Sequence, residues 1–297
     1  MISLLIPVFN EEKAIFDTVN RCHRALSQTE EEFEIVVIND GSTDCTNEIL
    51  EATNLPSLHI IKHPNNQGYG SSIKTGIRHS SGGLIATIDA DGTYPIEELP
   101  LLFAKLKETC ADMVVGARTK KGAKIPFIRK PAKAIVSFLA NTLTGMHIPD
   151  NNSGMRIFTR SLAQEFMHLY PQRFSFTITI TLAALTNGYI VEFVPIDYFK
   201  RTGKSTLSGF NGFKHFLQFL GLIIRITTYF QPLRFFMWPG MLLIGLGAGT
   251  MGYTLWKNVN ISDAGLLLLL TGMQIFLFGI LAEVVVRQRQ PGHVSQR

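Results

Sequence analysis

The sequence predicts an α/β chain: a doubly wound parallel sheet, then helices directed at a membrane. Three observations carry this. Short apolar runs alternate with helical stretches of about ten residues or more, the pattern of a parallel sheet with crossover helices. Each run ends in polar residues, and ligands of open α/β sheets bind beyond the carboxyl ends of the strands. The last quarter holds two long apolar runs, each sufficient to cross a hydrocarbon core of ~30 Å at ~1.5 Å per residue.

Ile2 to Val8 reads as the first strand, followed by Asn10 and Glu11 and a helix to about Leu26. The N-terminal apolar run is short and lacks a basic leader, so it is expected to be a strand rather than a signal peptide. Phe33 to Ile38 is the second strand, ending in the tight turn Asn39-Asp40-Gly41-Ser42. Ser42 or Thr43 is placed to cap the next helix. Leu58 to Lys62 is the third strand, and a glycine-rich turn, NNQGYGSSIKTGI, leads from it into a helix. Leu84 to Ile88 is the fourth, Asp112 to Val115 the fifth, and the alternation over Gly188 to Phe199 marks another.

The fourth strand organises the chain. It ends in Asp89 and Asp91, then Gly92, and Pro95 opens a helix. Two carboxylates one residue apart at a strand end suit a hard divalent cation shared with a phosphate, because Mg²⁺ takes one or two protein carboxylates and keeps positions for phosphate oxygens and water. The competing reading is a solvated turn with an incidental second acid.

Two nucleotide motifs fail on spacing. Gly68 and Gly70 would start a dinucleotide fingerprint, but its third glycine falls on Ile73. Gly203-Lys204-Ser205 resembles the end of a P-loop, but the leading glycine falls on Tyr198. Gly68 and Gly70 are therefore expected to serve a tight turn. Three scattered cysteines among 297 residues argue against a disulfide framework and a cysteine metal site.

The net charge of +5 matters less than its placement. From Arg118 to Pro149 there is no acidic residue, and seven basic ones fall early in the span, Arg129 and Lys133 among them. A helix over 131–146 follows, apolar on one side. A basic segment joined to an amphipathic helix points to anionic headgroups; the interleaved aromatics of a single-strand nucleic-acid binder are few. A second interfacial helix is expected over 210–231, and spans over 235–256 and 264–286. Arg225 and Arg234 precede the spans; Arg287, Arg289 and Arg297 follow them. Positive charge inside puts both ends, and the domain over 1–209, in the cytosol. Glu283 is spaced to pair with Arg287. The loop DNNSGMR, Asp150 to Arg156, and the basic loop Lys200 to Ser205 complete the polar segments.

PVFNEE, NDGSTD, NQGYGSSIKTGI, the Asp89–Asp91 pair, GAR at Gly116–Arg118, DNNSGMR and KRTGKS, in this order, resemble family 2 glycosyltransferases. More narrowly they resemble the polyprenyl-phosphate glycosyltransferases, the dolichyl-phosphate mannose synthase group. The resemblance covers about residues 1–207. It implies a GT-A fold and inverting transfer of a sugar from a nucleotide donor, a UDP- or GDP-sugar, to undecaprenyl or dolichyl phosphate in a lipid bilayer, with no nucleic acid; oligomeric state stays open. By motif match, Pro7, Phe9, Glu11, Asp40 and Asp89 would hold the donor, and Asp89 and Asp91 would hold Mg²⁺ or Mn²⁺. Arg118, Arg129, Lys133, Ser153, Arg156, Arg201 and Ser205 would meet the acceptor phosphate, with Asp150 beside them as a catalytic group. The chain departs from the pattern at Phe9 (usually tyrosine), Asn39 (often aspartate), Thr93 (glutamine in several members) and Thr206 (commonly lysine, with Lys204 close by). Two alternatives stay open: transfer to a lipid or glycan hydroxyl, with Asp150 as base, and a non-catalytic nucleotide-binding membrane scaffold.

Overall fold

The computed structural model describes residues 1–120, 141, 145, 147–150, 152–172, 176–199, 221, 224, 228–229, 231–258 and 262–289. Two compact units divide the chain, Met1–Phe213 and Lys214–Arg297. Arg129, Lys133, Arg201 and Ser205 lie outside the described residues, as do the segments 131–146 and 210–231 for most of their length.

The first unit is built on a seven-stranded sheet: β1 Ile2–Val8, β2 Phe33–Asn39, β3 Leu58–Lys62, β4 Leu84–Thr87, β5 Met113–Ala117, β6 Arg156–Thr159 and β7 Val191–Pro195. Their spatial order is β3-β2-β1-β4-β6-β5-β7. Central β1 is buried over nearly its whole length, which is why it reads as an unbroken apolar run rather than an alternating one. Helices α1 Ile15–Leu26, α2 Thr46–Ala52, α3 Tyr69–His79 and α4 Leu99–Thr109 make the crossovers, followed by the short α5 Arg160–Glu165 and by α6 Phe176–Thr186. Ile15, Val19, Cys22 and Leu26 put the apolar face of α1 into the core, at helical spacing.

The sheet departs from the all-parallel expectation at β6, which runs antiparallel between β4 and β5, with Thr87 opposite Arg156. The loop before β6 is thereby delivered to the carboxyl ends of β4 and β5, on the same edge as the turns after β1 and β2. The expected Ser42 or Thr43 cap is not made either. Helix α2 begins after Cys45 without a side-chain cap, and Ser42 Oγ accepts instead from the Asn10 N–H at 3.0 Å.

In the second unit, α7 Pro232–Asn258 and α8 Asp263–Arg289 form an antiparallel hairpin. Within them, Pro232–Lys257 and Asp263–Val286 are each long and apolar enough to cross a membrane. Glycines seven apart let the backbones touch: a Cβ on Gly272 would lie 2.8 Å from Gly240 O, and one on Gly247 2.8 Å from Gly265 O. Small residues at such a contact replace the hydrophobic drive that lipid removes. Glu283 Oε2 accepts the Leu233 N–H at 3.4 Å, tying the start of α7 to α8. The Arg287 side chain expected to pair with Glu283 lies outside the described residues.

Candidate active site

The donor-side residues come from two adjacent parallel strands. Pro7 pairs in register with Ile38, and Val8 with Asn39, so the turns after β1 and β2 meet. Asn10 takes a left-handed φ of 56°, which its short polar side chain tolerates. Its Oδ1 accepts the Thr43 N–H at 2.7 Å. Glu12 Oε2 accepts from Cys45 N at 3.2 Å, and Asp44 Oδ2 from Glu12 N at 3.2 Å. The Glu11 N–H donates to Thr46 Oγ1 at 3.0 Å, and Glu11 is 7% exposed. Pro7, Phe9, Glu11 and Asp40 are thus brought to one corner of the sheet.

Asp40 is nearly buried. Its Oδ1 meets His63 Nδ1 at 2.7 Å and accepts the Gln67 N–H at 3.0 Å, while Oδ2 accepts the Gly68 N–H at 2.8 Å. The glycine-rich turn is held by this carboxylate. Gly68 needs its φ of 99°, and a Cβ on Gly70 would strike Pro171 O at 2.0 Å. Gly68 serves the turn, as expected; Gly70 lies instead in the first turn of α3, where it allows the close approach of Pro171.

Beside β1 on its other flank, β4 delivers Asp89 and Asp91. Gly92 adopts φ 71° and turns the chain back, so that Asp91 Oδ1 accepts from Thr93 Oγ1 at 2.6 Å and from Thr93 N at 3.2 Å. Thr93, a departure from the resembling family, therefore orients Asp91. Gly154 is packed against Asp89: a Cβ there would lie 2.6 Å from Oδ1 and 2.7 Å from Oδ2. Gly154 is clamped at both ends, its N–H donating to the Tyr94 hydroxyl at 2.7 Å and its carbonyl accepting from Thr87 Oγ1 at 2.7 Å. Among the described residues no group of three or more His, Cys, Asp or Glu gathers as a metal site. A strand-end carboxylate pair fits Mg²⁺ or Mn²⁺, which complete their shell with phosphate oxygens and water.

Arg118 and Asp150 meet at the ends of β5 and of the loop before β6. Arg118 Nε donates to Asp150 Oδ2 at 2.7 Å, and Nη2 donates to Asp150 Oδ1 at 2.9 Å and to Asn152 O at 3.0 Å. The guanidinium also lies 5.1 Å from the centre of the Tyr198 ring. Arg118 is therefore not held out wholly for an acceptor; among the described residues only Nη1 of its side chain makes no hydrogen bond. Burial opposes the charged form of Asp150, but the hydrogen bonds and charge of Arg118 prevail and hold its pKa below the usual carboxylate range.

Two expectations are corrected here. Ser153 and Arg156, read as acceptor-side groups, are fully buried. Arg156 Nε donates to Ser153 O at 3.1 Å, and Nη1 donates to Thr177 O at 2.9 Å and Thr181 Oγ1 at 3.0 Å. Burial among these neutral acceptors pulls its pKa down to about 10. The cause is antiparallel β6, which turns Arg156 inward to the threonines of α6 and away from the rim. Sequence reasoning also missed Thr87, Tyr94, Tyr198 and His63, whose local patterns are those of ordinary strand, turn and core residues, and it marked Thr93 only as a departure from the family pattern.

Comparison with known proteins identifies the family and the fold. The profile of the family described as "Glycosyl transferase family 2" matches residues 3–167, and that of the "GtrB C-terminal hairpin" matches residues 231–287. The chain is 26% identical over 303 residues to a dodecaprenyl-phosphate galacturonate synthase of Rhizobium johnstonii, covering 96% of this chain and 88% of that protein. It is 31% identical over 226 residues to a dolichyl-phosphate beta-glucosyltransferase of Trichomonas vaginalis, covering 70% and 69%. Two solved structures share the fold. Staphylococcus aureus TarS in complex with UDP-GlcNAc has a TM-score of 0.58 at 18% identity, over 96% of this chain and 83% of that one. Mycobacterium tuberculosis glucosyl-3-phosphoglycerate synthase with Mn²⁺, UDP and glucosyl-3-phosphoglycerate has a TM-score of 0.56 at 15% identity, over 77% of each chain. The family match begins in β1, takes in both strand-end acids, and runs past the antiparallel strand that carries Arg156. The chain therefore belongs to glycosyl transferase family 2 and carries a GtrB-type hairpin behind its GT-A-like domain.

Proposed function

We propose that this glycosyltransferase moves a sugar from a nucleotide-sugar donor to a polyprenyl phosphate at a membrane surface, with inversion. One observation carries the reading: the donor corner, the acid pair and the Arg118–Asp150 pair open on one sheet edge in a chain that also bears the GtrB-type hairpin. The names of the dodecaprenyl- and dolichyl-phosphate relatives support the acceptor class. UDP in the structural neighbours supports a UDP-sugar over a GDP-sugar. The arginines flanking the spans support a cytosolic domain with both ends inside.

A divalent cation, Mg²⁺ or Mn²⁺, held by Asp89 and Asp91, would neutralise charge on the leaving diphosphate. Pro7, Phe9, Glu11 and Asp40 form the donor corner. An oxygen of the acceptor phosphate attacks the anomeric carbon as the bond to the diphosphate breaks. A phosphate near neutral pH carries about −1.5 to −2 charges and needs no general base. Positioning and cationic contacts supply the catalysis, from Arg118 Nη1 together with Arg129, Lys133, Arg201 and Ser205. The rival transfer to a hydroxyl would need a base, and Asp150 is unsuited: Arg118 engages both its oxygens and its pKa is lowered.

The test is transfer of radiolabelled sugar to polyprenyl phosphate by the purified full-length protein. The expected product extracts into organic solvent and releases its sugar in mild acid, as a sugar–phosphate link does. An acid-stable glycoside, or no transfer from any nucleotide sugar in a broad panel, refutes the proposal.

A further inference from the structure

His63 stands outside every motif that the proposed activity uses, yet it is fully engaged. It follows β3, and its N–H donates to Asn39 O at 2.8 Å, at the end of β2. Its side chain is 7% exposed. Nδ1 meets Asp40 Oδ1 at 2.7 Å and Nε2 meets Thr75 Oγ1, on α3, at 3.0 Å. An ionised carboxylate only accepts, so Nδ1 carries the proton of the first contact. With both ring nitrogens engaged, the imidazole is fixed in plane.

The other donors to Asp40 are the backbone N–H groups of Gln67 and Gly68. Among the described residues His63 is the one side chain that holds this carboxylate by a hydrogen bond. The turn it closes is pressed against the turn that follows β2, where a Cβ on Gly41 would lie 2.6 Å from the Asn65 carbonyl carbon. That turn presents Asn65, Asn66 and Gln67 to solvent on the rim of the donor corner. A carboxylate has about four acceptor sites; among the described residues two donors meet Asp40 Oδ1 and one meets Oδ2, which restrains the carboxylate's rotation.

We propose that His63 is a positioning residue for donor binding: it orients Asp40 and, through Asp40, sets the Gln67–Gly68 turn at the rim of the nucleotide site. The inference rests on the reading of this corner as the donor site. It assigns His63 no contact with the reacting atoms.

Two near-isosteric variants separate positioning from bulk. In His63→Asn the amide nitrogen replaces Nδ1 and keeps the bond to Asp40. In His63→Gln it replaces Nε2, reaches Thr75 and abandons Asp40. The full-length protein in detergent is titrated with UDP in the presence of Mn²⁺, and donor and acceptor KM are measured. His63→Gln should weaken UDP binding about tenfold, the effect of one lost bond to a charged group, and raise donor KM alike with acceptor KM unchanged. His63→Asn should recover most of that loss. Equal UDP affinity in both variants, with only the unfolding temperature lowered, overturns the proposal, as does the reverse order. Asp40→Ala keeps the two failures apart. If it leaves UDP binding intact, the donor-site reading itself fails; if it weakens UDP while His63→Gln does not, only the role of His63 is lost.

Discussion

Replacing Gly154 by alanine tests the geometry of the acid pair with a single methyl group. The added Cβ would sit 2.6 Å from Asp89 Oδ1, 2.7 Å from Oδ2 and 2.8 Å from Cγ. Ordinary contact begins at 3.4 Å, so the shortest of these must open by about 0.8 Å. The backbone cannot retreat, because Tyr94 and Thr87 hold both sides of the Gly154 residue. Asp89 is left to move. Overpacking of this kind costs about 1–3 kcal/mol of stability, which a domain of this size tolerates. Misplacement of a catalytic group by about 1 Å costs on the order of 10²-fold in rate, or roughly 2.7 kcal/mol of barrier. Gly154→Ala should therefore fold, as judged by circular dichroism and a thermal scan, while sugar transfer falls about a hundredfold and the Mn²⁺ concentration for half-activity rises. Gly83→Ala is the control, since a Cβ there meets nothing within 4 Å. Turnover and metal requirement equal to wild type in Gly154→Ala would refute the argument that Asp89 must occupy this position.

Asp91→Asn should keep the fold and lose activity by orders of magnitude, because an amide is a poorer ligand for a hard cation; full activity in excess chelator contradicts the metal reading. Asp150→Asn should cost roughly 3–5 kcal/mol by leaving Arg118 buried without its counter-charge, read by denaturant titration. The depressed pKa of Asp150 means that its contribution is present above the unfolded value of about 3.9 and is lost as pH falls through the folded one. The acid limb of wild-type stability should accordingly be steeper than that of Asp150→Asn, and parallel limbs would exclude the linkage. Arg129→Ala should weaken acceptor use by roughly 10- to 150-fold, the loss of about 1.5–3 kcal/mol for a charged hydrogen bond, with UDP affinity unchanged; a loss confined to UDP would move Arg129 to the donor side.

The elements that local pattern announces are those buried on both faces or along one stripe. The limits expected for β1 and β3 agree with the structure to the residue: for central β1 because its apolar run is buried, and for β3, an edge strand, because polar turn residues bound its short apolar run on both sides. The two spans were equally plain, since nothing but length and apolarity is needed to see them. Asp89 and Asp91 were legible as a pair because a strand followed by Asp-x-Asp-Gly carries its own geometry.

What the tertiary structure alone decided is which distant groups meet. Strand β6 has four residues and starts at an arginine, so no local period marks it; it forms because β4 and β5 offer edges that only a chain between them can pair. That placement turned Arg156 from an expected phosphate ligand into a buried donor to Ser153, Thr177 and Thr181. It also brought Asp150 to Arg118 across 32 residues and Gly154 to Asp89 across 65. His63 and Asp40 lie 23 residues apart and meet for the same reason. Such contacts follow from strand order and register, which depend on pairing free energies summed over the whole sheet, so a local stretch of sequence does not encode them.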